Sequence, residues 1–418
     1  MTQTATPLSA NTQQLLEKGR TYYVPNYKPR DMILDHGNGS TVWDIDGNDY
    51  IDLGSGIAVC SLGHQDPDLL AALDTQSRKL WHTSNIFFTE PPIRLAEMLV
   101  KTSGFAERVF LCNSGAEANE AAIKLVRKYA ADQGRPPEKR NIISFKGSFH
   151  GRTMATVTLT AQPKYQVGFE PMPGGFIYCD QFNDEAAIEA LMNDSVCAVF
   201  VEPVQGEGGV MPAKPGYLKH LRALCDKVGA LLVMDEIQAG MGRTGTLFAH
   251  TQDGIVPDVV TLAKALGGGM PIGAMLVGNK AAEVLQFGTH GTTFGGNPVM
   301  AAVALASVTK LNSPAVLDNV AKQSQKILAA LTEWNKELGL FKEARGRGLM
   351  LGAELLPAYA GKSSDISEIA RKRGVLVLVA GPDVMRLLPP LTISDTELDE
   401  GLRRLKLALA DFKTSVAA

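Results

Sequence analysis

The chain has 418 residues, of which 45% are hydrophobic and 20% are charged, a composition typical of a globular protein with one large and one smaller domain. A net charge of −3 provides no basic surface, so no nucleic-acid partner is expected. The five cysteines include no C-x-x-C pair, which argues against a disulfide framework and against a metal site of the zinc type. Residues 1–14 lack the features of a signal peptide, and no apolar run approaches the roughly 18 residues of a membrane span, so a soluble, cytoplasmic protein is expected.

The first two thirds of the chain alternate between strands and helices. Residues 1 to about 20 are polar and are expected to be loosely held, whereas residues 40–53 read as two short strands around an Asp-Gly turn, which predicts a hairpin. Between about 65 and 300, apolar strands alternate with helical periodicity, and the clearest strands are 108–111, 141–145, 196–202, 230–235 and 259–263. This alternation predicts an α/β fold with a mostly parallel sheet and helices on both faces.

The last third has a different organisation. Residues 300–335 show helical spacing with many alanines and are expected to link the large domain to the final part. Strands at 346–355 and 375–379 and an amphipathic helix at 395–412 predict a smaller α+β unit. We therefore expect three parts, which are an N-terminal segment contributing to the small domain (1–64), a large domain (65–304) and a C-terminal small domain (305–418).

Lys264 ends the apolar run 259–263 and precedes a run of three glycines. A lysine in such a place has little water around its charge, so its pKa should fall and its amine should become nucleophilic. Asp235 ends the apolar run 230–234, and ligands of open α/β sheets bind at the carboxyl ends of strands. A lysine that forms an imine and an acid that holds a pyridinium nitrogen are the two groups that pyridoxal phosphate requires, so the pair predicts a site for this cofactor.

Residues 113–117 follow the first strand of the large domain and open a helix. Ser114 and Glu117 fit a capping box, and Gly115 lets an anion approach the free N–H groups of the helix start. A phosphate group is therefore expected here. The helix cap is the plainer interpretation when the segment is taken alone.

Two further loops carry side chains suited to a ligand. Phe149 can stack on a flat ring, Arg152 can bind a carboxylate with both arms, and His150 is either a hydrogen-bonded loop residue or a catalytic one. Glu202 and Glu207 end another strand, but they are weak support for glycosidase chemistry because no partner carboxylate is evident. Glu207 has glycine on both sides and is the more suited to face a ligand.

The segment 240–245 matches G-x-G-x-x-G after a strand, which raises the alternative of a nicotinamide-dependent dehydrogenase. Residues 246–254 are too short and irregular for the helix that would meet a pyrophosphate, so this interpretation is disfavoured. A protein that keeps pyridoxal phosphate without turnover is a further alternative.

The chain resembles the class III aminotransferases of fold type I and, within them, the acetylornithine and succinylornithine aminotransferases. The resemblance runs from about Tyr22 to the C-terminal helix, and its motifs occur in the expected order at 56–59, 62–64, 113–120, 149–153, 202–209, 235–238, 263–269 and 290–298. It implies a large domain with a mostly parallel seven-stranded sheet, a smaller α+β domain and pyridoxal 5′-phosphate as cofactor.

The resemblance also implies roles for individual residues. Lys264 would form the imine and shuttle a proton, while Asp235 would keep the pyridine nitrogen protonated. The other cofactor contacts would come from Gln238 at the ring hydroxyl, Phe149 on the ring face, and Gly115 and Ala116 at the phosphate, together with Thr293 of a neighbouring subunit. This last contact implies a homodimer with shared active sites.

For the substrates, the resemblance implies that Arg152, helped by Thr292, binds a carboxylate, and that Tyr27 lies near the substrate's far end. Glu207 matches a residue that masks Arg386 and leaves it when glutamate binds. The implied reaction moves the δ-amino group of N2-acetylornithine to 2-oxoglutarate in arginine biosynthesis. Succinylornithine transamination in arginine breakdown is the nearest alternative, and free ornithine and 4-aminobutyrate are weaker candidates.

Overall fold

The computed structural model describes residues 8–417, which form an α/β fold. Its strands are β1 (Leu34–Asn38), β2 (Thr41–Asp44), β3 (Asp49–Asp52), β4 (Ala106–Cys112), β5 (Asn141–Phe145), β6 (Phe176–Cys179), β7 (Val196–Val201), β8 (Val204–Gln205), β9 (Met211–Pro212), β10 (Leu231–Asp235), β11 (Val259–Leu262), β12 (Gly273–Gly278), β13 (Phe341–Arg347), β14 (Met350–Leu355), β15 (Val375–Leu376), β16 (Leu378–Val379) and β17 (Val384–Leu387). Its α-helices are α1 (Ala10–Tyr22), α2 (Ser55–Ala58), α3 (Pro67–Ser77), α4 (Glu90–Ser103), α5 (Gly115–Asp132), α6 (Met154–Leu159), α7 (Glu185–Glu189), α8 (Tyr217–Val228), α9 (Pro298–Leu311), α10 (Pro314–Leu338), α11 (Ser363–Lys372) and α12 (Asp395–Ala417).

The large sheet has seven strands in the order β4-β12-β11-β10-β7-β5-β6. Only β12 runs antiparallel to its neighbours, which confirms the predicted mostly parallel sheet. Every residue of β7 and β10 is buried, as expected for central strands with helices on both faces. The five strands predicted in this region are all present, within one or two residues at most ends, whereas β6 and β12 were not predicted.

The order of the strands brings the functional candidates to one edge. Strands β11, β10, β7 and β5 lie side by side and run parallel, so their carboxyl ends meet. Lys264 follows β11, Asp235 ends β10, Glu202 follows β7, and the loop at 146–153 follows β5. Edge strand β4 runs in the same direction, because β12 is antiparallel to both β4 and β11, and it delivers residues 113–116 to the same edge.

Two four-stranded sheets form the smaller parts of the fold, β1-β2-β3-β15 and β13-β14-β17-β16. The predicted hairpin at 40–53 is present as β2 and β3. The single strands predicted at 346–355 and 375–379 are wrong in detail. The first is divided between β13 and β14 by the turn at Gly348 and Leu349, and the second contributes β15 and β16 to different sheets. The three domain boundaries stay a prediction.

The helical stretch predicted at 300–335 is divided into α9 and α10, which bend by 64° at the break. Ser313 caps α10 by accepting a hydrogen bond from the Val316 N–H, and Pro314 occupies the first position of the new helix. Among residues 8–417, no single helix is long and apolar enough to cross a membrane; only this bent pair reaches the required length and composition together.

The N-terminal segment corrects a further expectation. Residues 10–20, expected to be loosely held, belong to helix α1, which Ser9 caps. The Thr12 hydroxyl attaches this helix to the hairpin by donating to the Asp46 carboxylate at 2.8 Å. Residues 1–7 of the same predicted segment lie outside the described residues.

The glycine run 240–245 does not open a dinucleotide-binding helix. It forms turns and continues into a short 3₁₀ helix, Ala249–Asp253. Arg243, at its centre, is fully buried and donates hydrogen bonds to the carbonyl oxygens of Leu349 (3.0 Å) and Pro389 (2.6 Å). The run therefore connects the large sheet to the C-terminal part, and the dehydrogenase alternative has no support in this fold.

Candidate active site

A cavity of about 430 Å³ lies at the carboxyl edge of the large sheet. Most of the residues predicted to bind a cofactor line it, namely Gly115, Ala116, Phe149, Asp235, Gln238 and Lys264. Arg152, predicted to bind substrate, also lines this cavity. These residues come from four separate segments of the sequence, which therefore meet in one place.

Lys264 begins a short 3₁₀ helix, Lys264–Gly267, directly after β11. Its φ of 48° lies in the left-handed region, which non-glycine residues rarely adopt. Burial lowers the pKa of its amine to about 8, with Glu207 acting to raise it and Arg386 to lower it further. About a tenth of the amine is therefore neutral at pH 7, and able to attack an aldehyde.

Asp235 is almost fully buried at the end of β10. Its Oδ2 accepts hydrogen bonds from Asn119 Nδ2 (2.8 Å) and from His150 Nδ1 (2.7 Å), and its Oδ1 accepts from the Ile237 N–H (3.1 Å). Three donors therefore fix the orientation of the carboxylate. In the described part of the chain Oδ1 has this one partner only, so it can accept a further hydrogen bond from a ligand in the cavity.

His150 is the loop histidine for which two interpretations stood open. Burial alone would lower the pKa of its imidazole, but the hydrogen bond and the charge of Asp235 raise it above the ordinary value. A protonated imidazolium places a positive charge next to the Asp235 carboxylate. Within residues 8–417, His150 Nε2 is buried without a hydrogen-bond partner. The geometry supports a residue that orients Asp235.

The start of α5 forms the proposed phosphate end of the cavity. Ser114 Oγ accepts from the Glu117 N–H at 3.2 Å, while the Glu117 carboxylate accepts from the N–H of Asn113 at 2.8 Å, one residue before the cap. Half of the predicted capping box is therefore present, and its second half is displaced by one residue. The first N–H groups of a helix have no partner within it, so those of Gly115 and Ala116 can bind an anion. A side chain at Gly115 would collide with Ile237, 2.8 Å from the position of a Cβ.

Glu202, set aside as an acid/base candidate, is a buried member of the site. Its carboxylate accepts from the Phe149 N–H at 3.0 Å and from the Gly206 N–H at 3.4 Å. Burial raises its pKa to about 7, the nearby charge of Asp235 raises it as well, and His150 lowers it. Glu202 thus holds the loop that carries Phe149. The local sequence indicates neither the hydrogen-bond partners of Glu202 nor those of Asn119.

The pair of Arg386 and Glu207 adjoins the cavity through Gln238, which lines it and lies within reach of Arg386. Arg386 is buried in β17 and donates from Nη1 to Glu207 at 2.6 Å, the predicted pair. The same nitrogen lies 3.4 Å from Gln238 Oε1. A buried guanidinium without a carboxylate partner is costly, so Glu207 neutralises a cation that faces the site.

The guanidinium of Arg152, which lines the cavity, lies 4.0 Å from the ring centre of Tyr165 and 5.4 Å from that of Phe149. Stacking on aromatic rings holds the planar group while its N–H donors remain exposed for a carboxylate. The two predicted carboxylate-binding arginines are thus in different states. Arg152 has no carboxylate partner within residues 8–417, and Arg386 has Glu207.

Five predicted site residues do not line this cavity in a single chain: Glu207 and Arg386 adjoin it, and Thr292, Thr293 and Tyr27 lie farther out. Thr292 Oγ1 accepts from Asn113 Nδ2 at 3.0 Å, so Thr292 is linked to the phosphate end through Asn113. Thr293 is exposed and lines a separate cavity of about 420 Å³, together with Phe87 and Phe88. Tyr27 is 83% exposed, in the segment after α1. The contact of Thr293 with a phosphate of a neighbouring subunit stays a prediction.

The cavity fits pyridoxal phosphate in each part. It combines a nucleophilic amine, a buried carboxylate with a free accepting position, an aromatic side chain and a helix start for the phosphate. This is the site of a fold type I pyridoxal phosphate enzyme.

The chain belongs to the class III aminotransferases, since the family model described as Aminotransferase class-III matches residues 22–409. It is therefore an aminotransferase that depends on pyridoxal phosphate. It is 63% identical to an acetylornithine aminotransferase of Xanthomonas axonopodis over 94% of this chain and 96% of that protein. A succinylornithine transaminase of Yersinia enterocolitica is 50% identical over 93% of this chain and 94% of that protein. The crystal structure of an N-acetylornithine aminotransferase from Stenotrophomonas maltophilia superposes with a TM-score of 0.85 at 54% identity, covering 96% of this chain and 100% of that one.

Proposed function

We propose that the enzyme transfers the δ-amino group of N2-acetylornithine to 2-oxoglutarate, as a step of arginine biosynthesis. Relatives that are 61% and 63% identical over nearly the whole chain carry the name acetylornithine aminotransferase. The two substrates would use the one cavity in turn, because transamination passes the amino group from the first substrate to the second.

The observation that carries the proposal is the 2.6 Å pair of Glu207 and Arg386 next to Gln238, which lines the cavity of Lys264. Acetylornithine presents an uncharged methylene next to the reacting carbon, whereas glutamate carries a carboxylate directly on it. A cation for that carboxylate must be neutralised when acetylornithine binds and free when glutamate binds. Glu207 can do this by pairing with Arg386 and leaving it, while Arg152 binds the carboxylate that both substrates share.

We assign the remaining residues the roles that the family resemblance implies, which their positions around the cavity support. When bound, pyridoxal phosphate supplies an aldehyde for the amine and a ring that takes up electrons from the substrate. Lys264 provides the amine and moves the proton at the reacting carbon, and Asp235 holds a proton on the ring nitrogen. Phe149 positions the ring, Gln238 contacts its hydroxyl, and the N–H groups of Gly115 and Ala116 bind the phosphate.

Succinylornithine is the second candidate substrate, because relatives at 50% and 51% identity carry the name succinylornithine transaminase. The two substrates place the same groups near Lys264 and differ only in the acyl tail. Purified enzyme should show a higher kcat/KM for N2-acetylornithine than for N2-succinylornithine, with 2-oxoglutarate as acceptor. A preference for the succinyl compound would replace the proposed function with the catabolic one.

The class of reaction is tested separately. The holoenzyme should show a visible absorption band. Reduction with labelled borohydride should remove this band and leave the label on Lys264. Added glutamate should bleach the band of the unreduced enzyme. A band that does not respond to glutamate would indicate a binding protein without turnover.

The proposal includes a cytoplasmic homodimer with shared active sites. Support comes from a set of exposed apolar side chains next to the loop of Thr293, namely Trp81, Ile86, Phe87, Phe88 and Phe294. Exposed apolar patches of this kind mark protein interfaces. We also propose that the chain divides after residues 64 and 304 into N-terminal, large and C-terminal parts.

A further inference from the structure

Glu207 lies on the tip (residues 206–210) of a small hairpin. Strands β8 and β9 pair antiparallel, with Gln205 opposite Met211, and the tip closes through a 3.3 Å hydrogen bond from the Val210 N–H to the Gly206 carbonyl. A two-residue strand gives little stability by itself. Something else must therefore fix the place from which Glu207 reaches Arg386.

The backbone of the tip is strained. Gly209 has a φ of 100° and Val210 a φ of 52°, and a β-branched residue in the left-handed region is a genuine outlier. Such a conformation persists only where surrounding groups hold it. The side chain of Val210 is fully buried over Gly352 of β14, where a Cβ would lie only 2.9 Å from that of Val210.

Arg345 of β13 holds both strained peptide groups. It donates from Nη2 to the Gly209 carbonyl at 2.7 Å and from Nε to the Val210 carbonyl at 3.2 Å. Its Nη1 pairs with the Glu343 carboxylate at 2.5 Å and with that of Glu354. With 11% of its side chain exposed, this guanidinium is fixed on every side.

The sheet register connects Arg345 to Arg386. Arg345 lies opposite Gly352 across β13 and β14, and Gly352 lies opposite Arg386 across β14 and β17. Directly opposed residues share a face of a sheet, so the two arginines flank the glycine on one face. The tip sits over that glycine. One arginine binds its backbone carbonyls, and the other binds the carboxylate of Glu207.

We propose that Arg345 is a positioning residue that holds the tip in place and thereby keeps Glu207 on Arg386 until a second carboxylate displaces it. This inference rests on the proposed function, because it assumes that Glu207 masks Arg386. With the backbone held, only the Glu207 side chain has to move between the two half-reactions. Without Arg345 the tip relaxes, the pair weakens, and Arg386 is exposed to dicarboxylates.

Two unreactive ligands measure this masking without turnover. Glutarate has two carboxylates for Arg152 and Arg386, whereas pentanoate has the same chain length and only one. The ratio of their dissociation constants, Kd of pentanoate over Kd of glutarate, measured on the holoenzyme by calorimetry, reports how available Arg386 is. Glu207→Ala should raise this ratio about tenfold, and Arg345→Met should raise it about threefold, as expected for a weakened hydrogen-bonded pair.

Arg347→Met is the matched control. Arg347 lies on the same strand and also joins a carbonyl, that of Ala213 at 2.7 Å, to a carboxylate, that of Asp253 at 2.7 Å, but it does not contact the tip. The Arg347→Met substitution removes the same charge as Arg345→Met and should leave the ratio of dissociation constants unchanged. Since loss of a nearby cation would weaken glutarate binding, a tighter glutarate complex in Arg345→Met cannot come from charge alone.

The outcomes separate the two proposals. A raised ratio in Glu207→Ala with an unchanged ratio in Arg345→Met would overturn the role of Arg345 and leave the masking intact. An unchanged ratio in Glu207→Ala would overturn the masking itself. If Arg345→Met does not fold, Arg345→Lys replaces it, because a single ammonium keeps the charge but cannot bond both carbonyls in a fork, and the ratio should again rise.

Discussion

At the scale of single residues, the site concentrates unfavourable states that the surrounding structure maintains. Lys264 has left-handed backbone geometry and an amine whose pKa burial lowers to about 8. Glu202 is buried with a pKa raised by burial to about 7. Such states cost stability and persist where function needs them, so their coincidence around one cavity is itself an argument for catalysis.

The pKa of Lys264 gives a prediction for the enzyme freed of its cofactor. Because the neutral amine is the nucleophile, the rate of recombination with pyridoxal phosphate should rise with pH up to about 8 and then level off. An ordinary lysine, with a pKa of about 10.4, would continue to rise to pH 10. The measurement is the rate at which the visible absorption band returns, with the same reaction of Nα-acetyllysine as the reference whose rate should keep rising to pH 10.

A variant supplies the control for this pH profile. The charge of Glu207 acts to raise the pKa of Lys264, so Glu207→Gln should move the plateau to lower pH. A recombination rate that keeps rising to pH 10 in the native chain would contradict the lowered pKa, whatever the variant does.

At the scale of elements, the start of α5 has both a structural and a binding role. Ser114 Oγ caps the helix through the Glu117 N–H, and Ser313 Oγ caps α10 in the same way through the Val316 N–H. Removing either hydroxyl should lower the free energy of unfolding by about 1 kcal/mol. Only Ser114→Ala should also weaken pyridoxal phosphate binding, since only that helix start faces the cavity. Fluorescence titration of the cofactor-free variants measures this, and equal losses of affinity in both would show a general effect of stability.

The elements also show what local sequence patterns can predict. Buried parallel strands read as apolar runs, which is why β5, β7, β10 and β11 were predicted nearly to the residue. Strand β12 begins and ends with glycine and runs against its neighbours, so neither its composition nor the alternation of strands and helices indicates it. The break between α9 and α10 does have a local signal, the serine cap followed by Pro314.

The residues of the site also differ in whether a local sequence pattern predicts them. Lys264 and Asp235 were predictable because each ends an apolar run and parallel strands end at one edge. The hydrogen bonds of Asn119 to Asp235, and of Glu202 to the Phe149 loop, join residues that lie 116 and 53 positions apart. No local pattern encodes such contacts. Asn119 lies one turn after Gly115 on α5, and that spacing from a phosphate loop is the only hint it offers.

At the scale of the whole molecule, the predicted contact of Thr293 with a phosphate involves a second copy of the chain. Thr293 lies outside the Lys264 cavity, on a loop whose Thr292 and Gly295 carbonyls accept from Asn85 Nδ2 at 3.1 and 3.0 Å. Beside it, the Phe88 side chain is 94% exposed. A second copy that covered this surface would bury these aromatic rings and would bring Thr293 to a phosphate of the other subunit.

This arrangement predicts complementation between two inactive variants. Lys264→Ala removes the reacting amine, and Thr293→Asp places a negative charge against the phosphate, so each homodimer should be inactive. If each site takes Lys264 from one chain and Thr293 from the other, a mixed dimer has one site with both defects and one site with neither. Random pairing of equal amounts makes half the dimers mixed, so about one quarter of the sites, and of the native activity, should return.

The experiment requires the two variants to be co-refolded, since a stable dimer does not exchange its subunits quickly. Each variant refolded alone is the control and should remain inactive. Native chain mixed with Lys264→Ala calibrates the assay, because half of its sites keep the amine whatever the geometry. If Lys264 and Thr293 acted in the site of one chain, every site of a mixed dimer would carry one defect, and co-refolding would restore no activity. The return of activity therefore decides whether the active site is built from one copy of the chain or from two.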